Sequence, residues 1–196
     1  TVGYIRNKES VLVKAPTSSG KTFVAMATGI LHKKILYVCP AKPVAYQVGA
    51  NFIKMGYKVH YVLPSFEYTS YSDKTNVFVG TPKSIEDFLY KHGNVFDYAV
   101  FDEIHNLDKK DDGDMYENLI KLITCNFLAL SATIKDINKL KNIFENITNK
   151  DIKTITYEKR FINQQRWVWK NNKLIELHPL ACIEDNINEL LQYNLP

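Results

Sequence analysis

The stretch APTSSGKTF, residues 15–23, constrains this chain more than any other. A short apolar run, VLVKA (11–15), leads into it, and a helix-compatible run, FVAMATGILHKK (23–34), leads out. In a Ser/Gly loop between a strand and a helix, successive backbone N–H groups, here those of Thr17 to Thr22, can curl round an anion. The following helix adds the positive end of its dipole. The general phosphate-loop pattern ends in Gly-Lys-Ser/Thr, four residues after a first glycine. GKT stands at 20–22, but Ala15 occupies the place of that first glycine. A Ser-rich turn before a helix is the alternative, and the flanking strand and helix weigh against it. On the phosphate reading, Pro16, Thr17, Ser18, Ser19, Gly20, Lys21 and Thr22 form the cradle. Lys21 reaches the β- and γ-phosphates of ATP, and Thr22 offers its hydroxyl to Mg²⁺.

Further short apolar runs follow at 35–40 (ILYVCP), 58–63 (KVHYVL), 76–80 (NVFVG), 97–102 (DYAVFD) and 126–131 (NFLALS). Between them, 85–92, 116–123 and 137–144 repeat apolar residues at helical spacing. Strands alternating with helices predict an α/β domain with a mostly parallel sheet, and continuous apolar strands predict helices on both faces. The pattern changes near residue 150. KTITYEKR comes first; the alternating runs around Asn171 and Asn172, QQRWVWK and KLIELHPLACI, then read as a two-stranded β-ribbon turning there, and CIEDNINELLQ as a helix. The expected organisation is a domain over 1–150 and an extension over 151–196.

Composition narrows the field without deciding it. The chain has 196 residues and a formal net charge of +4, which permits nucleic-acid binding without demanding it. Abundant Asn, Ile, Lys and Tyr suggest an AT-rich coding genome. The three cysteines, Cys39, Cys125 and Cys182, form no Cys-x-x-Cys pair, which argues against a zinc site or a disulfide framework. Buried thiols in a reducing, intracellular setting are expected, the cytoplasm rather than the nucleus. No apolar run is long enough for a transmembrane helix. A first residue of Thr1 in place of Met suggests a fragment, expected to be monomeric.

FDEIH, 101–105, follows the apolar run YAV, which puts Asp102 and Glu103 at a strand's C-terminal tip, where open parallel sheets bind ligands. Asp102 can hold Mg²⁺ through water, and Glu103 can polarise an attacking water as general base. Two adjacent acids are ordinarily just solvated; a phosphate loop upstream changes their meaning. His105, read alone, is an ordinary histidine. SAT, 131–133, matters only as the third feature in order.

APTSSGKT, DEIH and SAT in this order and spacing resemble motifs I, II and III of superfamily 2 helicases. PAKPVAYQ (40–47) and GTPKSIEDFL (80–89) resemble the weaker motifs Ia and Ib. The resemblance covers a first RecA-like P-loop NTPase domain, roughly 1–147. It implies ATP and Mg²⁺ as cofactors, Lys21, Asp102 and Glu103 as catalytic residues, and Thr22 and Asp102 at the metal. It also implies that His105, Ser131 and Thr133 couple hydrolysis to movement on a strand. Pro40, Lys42, Gln47, Thr81, Pro82 and Lys83 are carried into a track that holds one nucleic-acid strand; an ordinary solvated lysine is the alternative for Lys42 and Lys83. FDEIHNLD and CNFLALSATI look like the superkiller-type DExH RNA helicases, most similar to the interferon-induced DExD/H-box antiviral branch. YEKRFINQQRWVW and ELHPLACI add a short, less specific likeness to that branch.

The chain departs from the family in having no arginine-rich motif VI after Ala132, where only Arg160 and Arg166 remain. A finger arginine is worth about 10³–10⁵ in rate. Alone, this chain is expected to bind ATP weakly and to hydrolyse it poorly without a second RecA-like domain. Three functions stay open: the ATP-binding lobe of an ATP-dependent RNA helicase, a lobe of a DNA helicase or translocase, and a non-catalytic nucleic-acid scaffold. Intact Lys21, Asp102 and Glu103 argue against the last.

Overall fold

A strand that is apolar on both sides must be covered on both sides, and five of the strands here are. The computed structural model describes residues 1–17, 19–64, 72–105, 113–134, 136–158, 166–170 and 173–177. These fall in two compact units, Thr1–Arg160 and Phe161–Pro196.

The first unit is built on β1 (Ser10–Lys14), β2 (Ile35–Val38), β3 (Val59–Val62), β4 (Val77–Gly80), β5 (Tyr98–Phe101), β6 (Asn126–Ser131) and β7 (Ile152–Thr156). They form one sheet in the order β3-β4-β2-β5-β6-β1-β7. Every pairing is parallel, and the register is continuous. The helices are α1 (Val2–Arg6), α2 (Lys21–Leu31), α3 (Lys42–Lys54), α4 (Pro82–His92), α5 (Gly113–Leu122) and α6 (Ile137–Thr148).

Because side chains alternate across a strand, the sheet feeds two cores. Leu12, Leu36, Phe78, Phe101 and Phe127 pack with Phe88 of α4, Leu119 of α5 and Phe144 of α6. Val11, Val13, Tyr37, Val79 and Leu130 pack on the other face with Ile5 of α1, Ala25 of α2 and Phe52 of α3. Local chemistry sets the helix ends. Pro82 opens α4 at a position where its missing N–H costs nothing. The Asp136 carboxylate accepts the N–H groups of Asn138 and Lys139 and caps α6.

The strands lie where the apolar runs place them, and β6 matches 126–131 residue for residue. Two features differ. α4 begins at Pro82, a turn before the predicted 85–92. The sheet gains β7, which pairs with β1 from Ser10↔Ile152 to Lys14↔Thr156, and the first unit runs to Arg160, beyond the expected 150. IKTIT is only partly covered because β7 is the edge strand: Ile152 is buried in one core and Ile155 packs against the other, while Thr154 and Thr156 are exposed.

In the second unit, β8 (Arg166–Lys170) and β9 (Lys173–Leu177) form the antiparallel ribbon that the alternation predicts. Its turn at Asn171 and Asn172 and the helix predicted over CIEDNINELLQ lie outside the described residues. No helix among the described residues is long and apolar enough to cross a membrane.

Candidate functional site

Since all seven strands run one way, all end on one edge, and every predicted site residue in a described loop follows a strand there. The neighbours β1, β6 and β5 carry the phosphate loop, Ser131–Thr133 and Asp102–His105. The neighbours β2 and β4, further along the same edge, lead to Pro40–Lys42 and Thr81–Lys83.

The phosphate loop is tied directly to β6: Lys14 registers with Ser131, and the Ala15 N–H donates to the Ser131 carbonyl at 2.9 Å. The Lys21 ammonium folds back on the loop, donating to the carbonyls of Ala15 at 2.9 Å and Pro16 at 3.1 Å. Gly20 takes φ 87°, a left-handed conformation that glycine adopts without cost. α2 starts at once after it, with no side-chain cap and no acid in its first turn. Its leading N–H groups are therefore left to water or an anion. Ser19 Oγ is buried in the loop without a hydrogen-bond partner. Thr17 and Thr22 are exposed, and Pro16 is half-buried. Ser18 lies outside the described residues.

At the end of β5, Asp102 is held on both oxygens. Oδ1 accepts the Glu103 N–H at 3.0 Å, and Oδ2 faces the Tyr37 hydroxyl at 3.4 Å. Burial pushes the Asp102 carboxyl above its ordinary pKa, and the neighbouring Glu103 adds to the rise. The Glu103 N–H, the Tyr37 hydroxyl and the Lys21 ammonium oppose it. Lys21 and Asp102 thus act on each other across the site. Glu103 sits at φ 50°, a left-handed conformation that costs a non-glycine residue about 1–2 kcal/mol.

The next residues join the two loops. His105 Nδ1 lies 3.1 Å from Ser131 Oγ and also 3.1 Å from Glu103 Oε2. The second approach is off the hydrogen-bond direction, so Glu103 Oε2 is buried without a hydrogen bond. Ser131 is fully buried, and its hydroxyl also accepts the Thr133 N–H at 3.2 Å. The three predicted coupling residues are therefore one hydrogen-bonded group beside Glu103.

The predicted strand track occupies the rest of the edge. Lys42 opens α3, with Gln47 exposed on that helix and Pro40 half-buried before it. Thr81 precedes α4, and its hydroxyl bonds to Ser84 Oγ at 3.2 Å. Lys83 does not stand alone: it pairs with Glu86 at 3.1 Å and Asp87 at 3.1 Å. Glu86 is buried, and its other oxygen accepts from Asn118 on α5 at 3.2 Å.

Three participants escaped the sequence reading: Tyr37, Glu86 and Asn118. Tyr37 carried no signal, since ILYV reads as one apolar run. Glu86 and Asn118 sit at helical positions that look like solvent-facing ones.

The donor set fits a magnesium nucleotide. An uncapped helix start, a lysine and an orphaned serine hydroxyl suit phosphate oxygens. A buried carboxylate whose pKa burial raises suits a divalent cation, which would favour its ionised form. Thr22 and Asp102 would hold the metal.

A DEAD/DEAH box helicase model matches residues 1–143. The antiviral helicase SKI2 of Saccharomyces cerevisiae is 27% identical over 89% of this chain, which covers 14% of that protein. The probable ATP-dependent RNA helicase DDX60-like of Homo sapiens is 29% identical over 73% of the chain and 9% of that protein. This chain thus spans 9% to 14% of the length of these relatives. Among solved structures, the helicase MrfA bound to DNA superposes with a TM-score of 0.64 at 18% identity. It covers 80% of this chain and 26% of MrfA. That likeness is one of fold, the RecA-like α/β P-loop domain. With its phosphate loop, acidic pair and Ser-Ala-Thr turn ranged along one sheet edge, this chain belongs to the DEAD/DEAH box helicase family.

Proposed function

We propose that this chain is the ATP-binding lobe of an ATP-dependent RNA helicase of the superkiller type, in the branch of the interferon-induced antiviral helicases. The observation that carries it is the grouping of Lys21, Asp102 and Glu103 at the ends of β1 and β5, bridged through β6. SKI2 and DDX60-like, with the tail segments YEKRFINQQRWVW and ELHPLACI, support the branch.

In this reading the loop N–H groups of 17–22 and the Lys21 ammonium grip the phosphates. Lys21 exchanges the Ala15 and Pro16 carbonyls for phosphate oxygens. Mg²⁺, when bound, neutralises phosphate charge. The Glu103 carboxylate takes the proton of the attacking water as general base. Ser131 and His105 connect that carboxylate to β6, and Pro40, Lys42, Gln47 and Thr81–Lys83 face an RNA strand. A second RecA-like lobe would close over the nucleotide and supply the arginine that this chain lacks.

Calorimetric titration with ATP and Mg²⁺ tests the reading. The chain should bind, and Lys21→Ala should weaken binding by about 100-fold or more while leaving the fold intact. Binding unaffected by Lys21→Ala would refute it.

A further inference from the structure

Tyr37 is completely buried in the middle of the sheet, its ring edge-on to Phe52 at 6.2 Å. For packing alone a phenylalanine would serve. The hydroxyl is what needs a reason, because a buried O–H without a partner costs free energy. Its partner is Asp102 Oδ2 at 3.4 Å. The sheet explains the meeting. Tyr37 registers with Val100 on β5, and Asp102 lies two residues further along the same face. Reaching a diagonal neighbour on the next strand takes a long side chain, and the tyrosine ring carries its hydroxyl that far.

We propose that the Tyr37 hydroxyl is a positioning group for Asp102. It restrains Oδ2 while the Glu103 N–H restrains Oδ1, so the carboxylate keeps one orientation toward a divalent cation. Groups that orient a metal ligand commonly set metal affinity by about 10–100-fold. At 3.4 Å this contact is long, so its effect falls below that range. Tyr37 stands on the strand that continues into Pro40, which places the restraint between the nucleotide site and the start of the strand track. This assignment rests on the magnesium-nucleotide reading above.

The test is Tyr37→Phe, which keeps the ring and removes one oxygen. Binding of a fluorescent ADP analogue is titrated with Mg²⁺ and, separately, in EDTA, with thermal melting of each variant as the measure of fold. Tyr37→Phe should raise the Mg²⁺ concentration for half-saturation by about fivefold. Its affinity in EDTA should match that of the parent, and it should have no further effect in an Asp102→Asn background. Unchanged Mg²⁺ dependence would overturn the proposal, and so would an equal loss with and without Mg²⁺, which marks a packing role. If the parent itself gains nothing from Mg²⁺, the nucleotide reading falls and this proposal with it. If the parent gains and Tyr37→Phe keeps all of that gain, only this proposal falls.

Discussion

His105 and Ser131 meet at 3.1 Å, Nδ1 to Oγ, joining the loop after β5 to the last residue of β6. The same hydroxyl accepts the Thr133 N–H, so one buried oxygen organises the turn of one strand and the imidazole of its neighbour. Ser131→Ala should leave that N–H and imidazole without their partner and cost about 1–2 kcal/mol in urea denaturation. Stimulation of ATP turnover by RNA should fall by about 5- to 10-fold, while unstimulated turnover changes little. Ser131→Ala and His105→Ala combined should be clearly non-additive, as for two ends of one contact.

Glu103 presents a conflict between stability and function. Its φ of 50° is strained for any residue with a side chain. Glu103→Gly should relieve the strain. Glycine's larger unfolded-state entropy takes back part of the gain, so the variant should be more stable by up to about 1 kcal/mol. Turnover should still drop by about 10²-fold or more, since the proposed general base is gone. Thermal melting and an ATPase assay on the same sample check both halves.

Lys83, proposed for the strand track, has competition nearby. Glu86 and Asp87 supply two negative charges to its one positive charge, both within 3.1 Å. Asp87→Asn should therefore strengthen binding of single-stranded RNA and steepen its salt dependence by up to about 0.7 in log–log slope, the value of one more phosphate contact. Lys83→Gln should cancel that gain. Filter binding at several salt concentrations reads both. Asn118→Ala leaves a buried Glu86 oxygen without its partner on α5 and should destabilise by about 1–3 kcal/mol.

His32 makes stability depend on pH. Its ring stacks on Tyr98 at 4.6 Å, Nε2 meets the Ile5 carbonyl at 3.1 Å, and Nδ1 is buried without a partner. Burial holds its pKa below the ordinary value, nearby Lys8 acts in the same direction, and the Ile5 carbonyl and Asp97 oppose them. The folded chain prefers the neutral ring, whereas the unfolded chain takes up a proton as pH falls through about 6.5. The unfolded state then binds more protons, so stability drops as pH falls from about 6.5 toward the lower folded value. Urea denaturation at pH 7.5 and 5.5 should show this drop, and His32→Gln should reduce it.

The sheet was legible because its strands are apolar on both faces and punctuated by Gly, Pro and Asp, so β6 could be bounded to the residue. β7 was harder: of IKTIT only Ile152 is fully buried, and so short and half-covered an edge strand carries no clear pattern until its pairing with β1 is known. The grouping of Lys21, Asp102, Glu103 and Ser131 on one sheet edge was legible because each follows or ends an apolar run that reads as a strand of one parallel sheet. Tyr37 and Asn118 were not. Their roles come from register between strands and packing between helices, contacts of long sequence separation that local spacing does not encode. Nor could sequence tell that Lys83 is held by its own helix, since Lys-x-x-Glu-Asp reads as an ordinary solvated face.

In the proposed function, the phosphate held by residues 16–22 is hydrolysed in response to RNA. The direct measurement is the ATPase rate of the full-length protein without nucleic acid, with single-stranded RNA and with single-stranded DNA, against Glu103→Gln. Strong stimulation by RNA, weaker stimulation by DNA, and loss of both in the variant are expected. Equal stimulation by DNA would contradict the RNA assignment, and RNA binding without any turnover would contradict the motor itself.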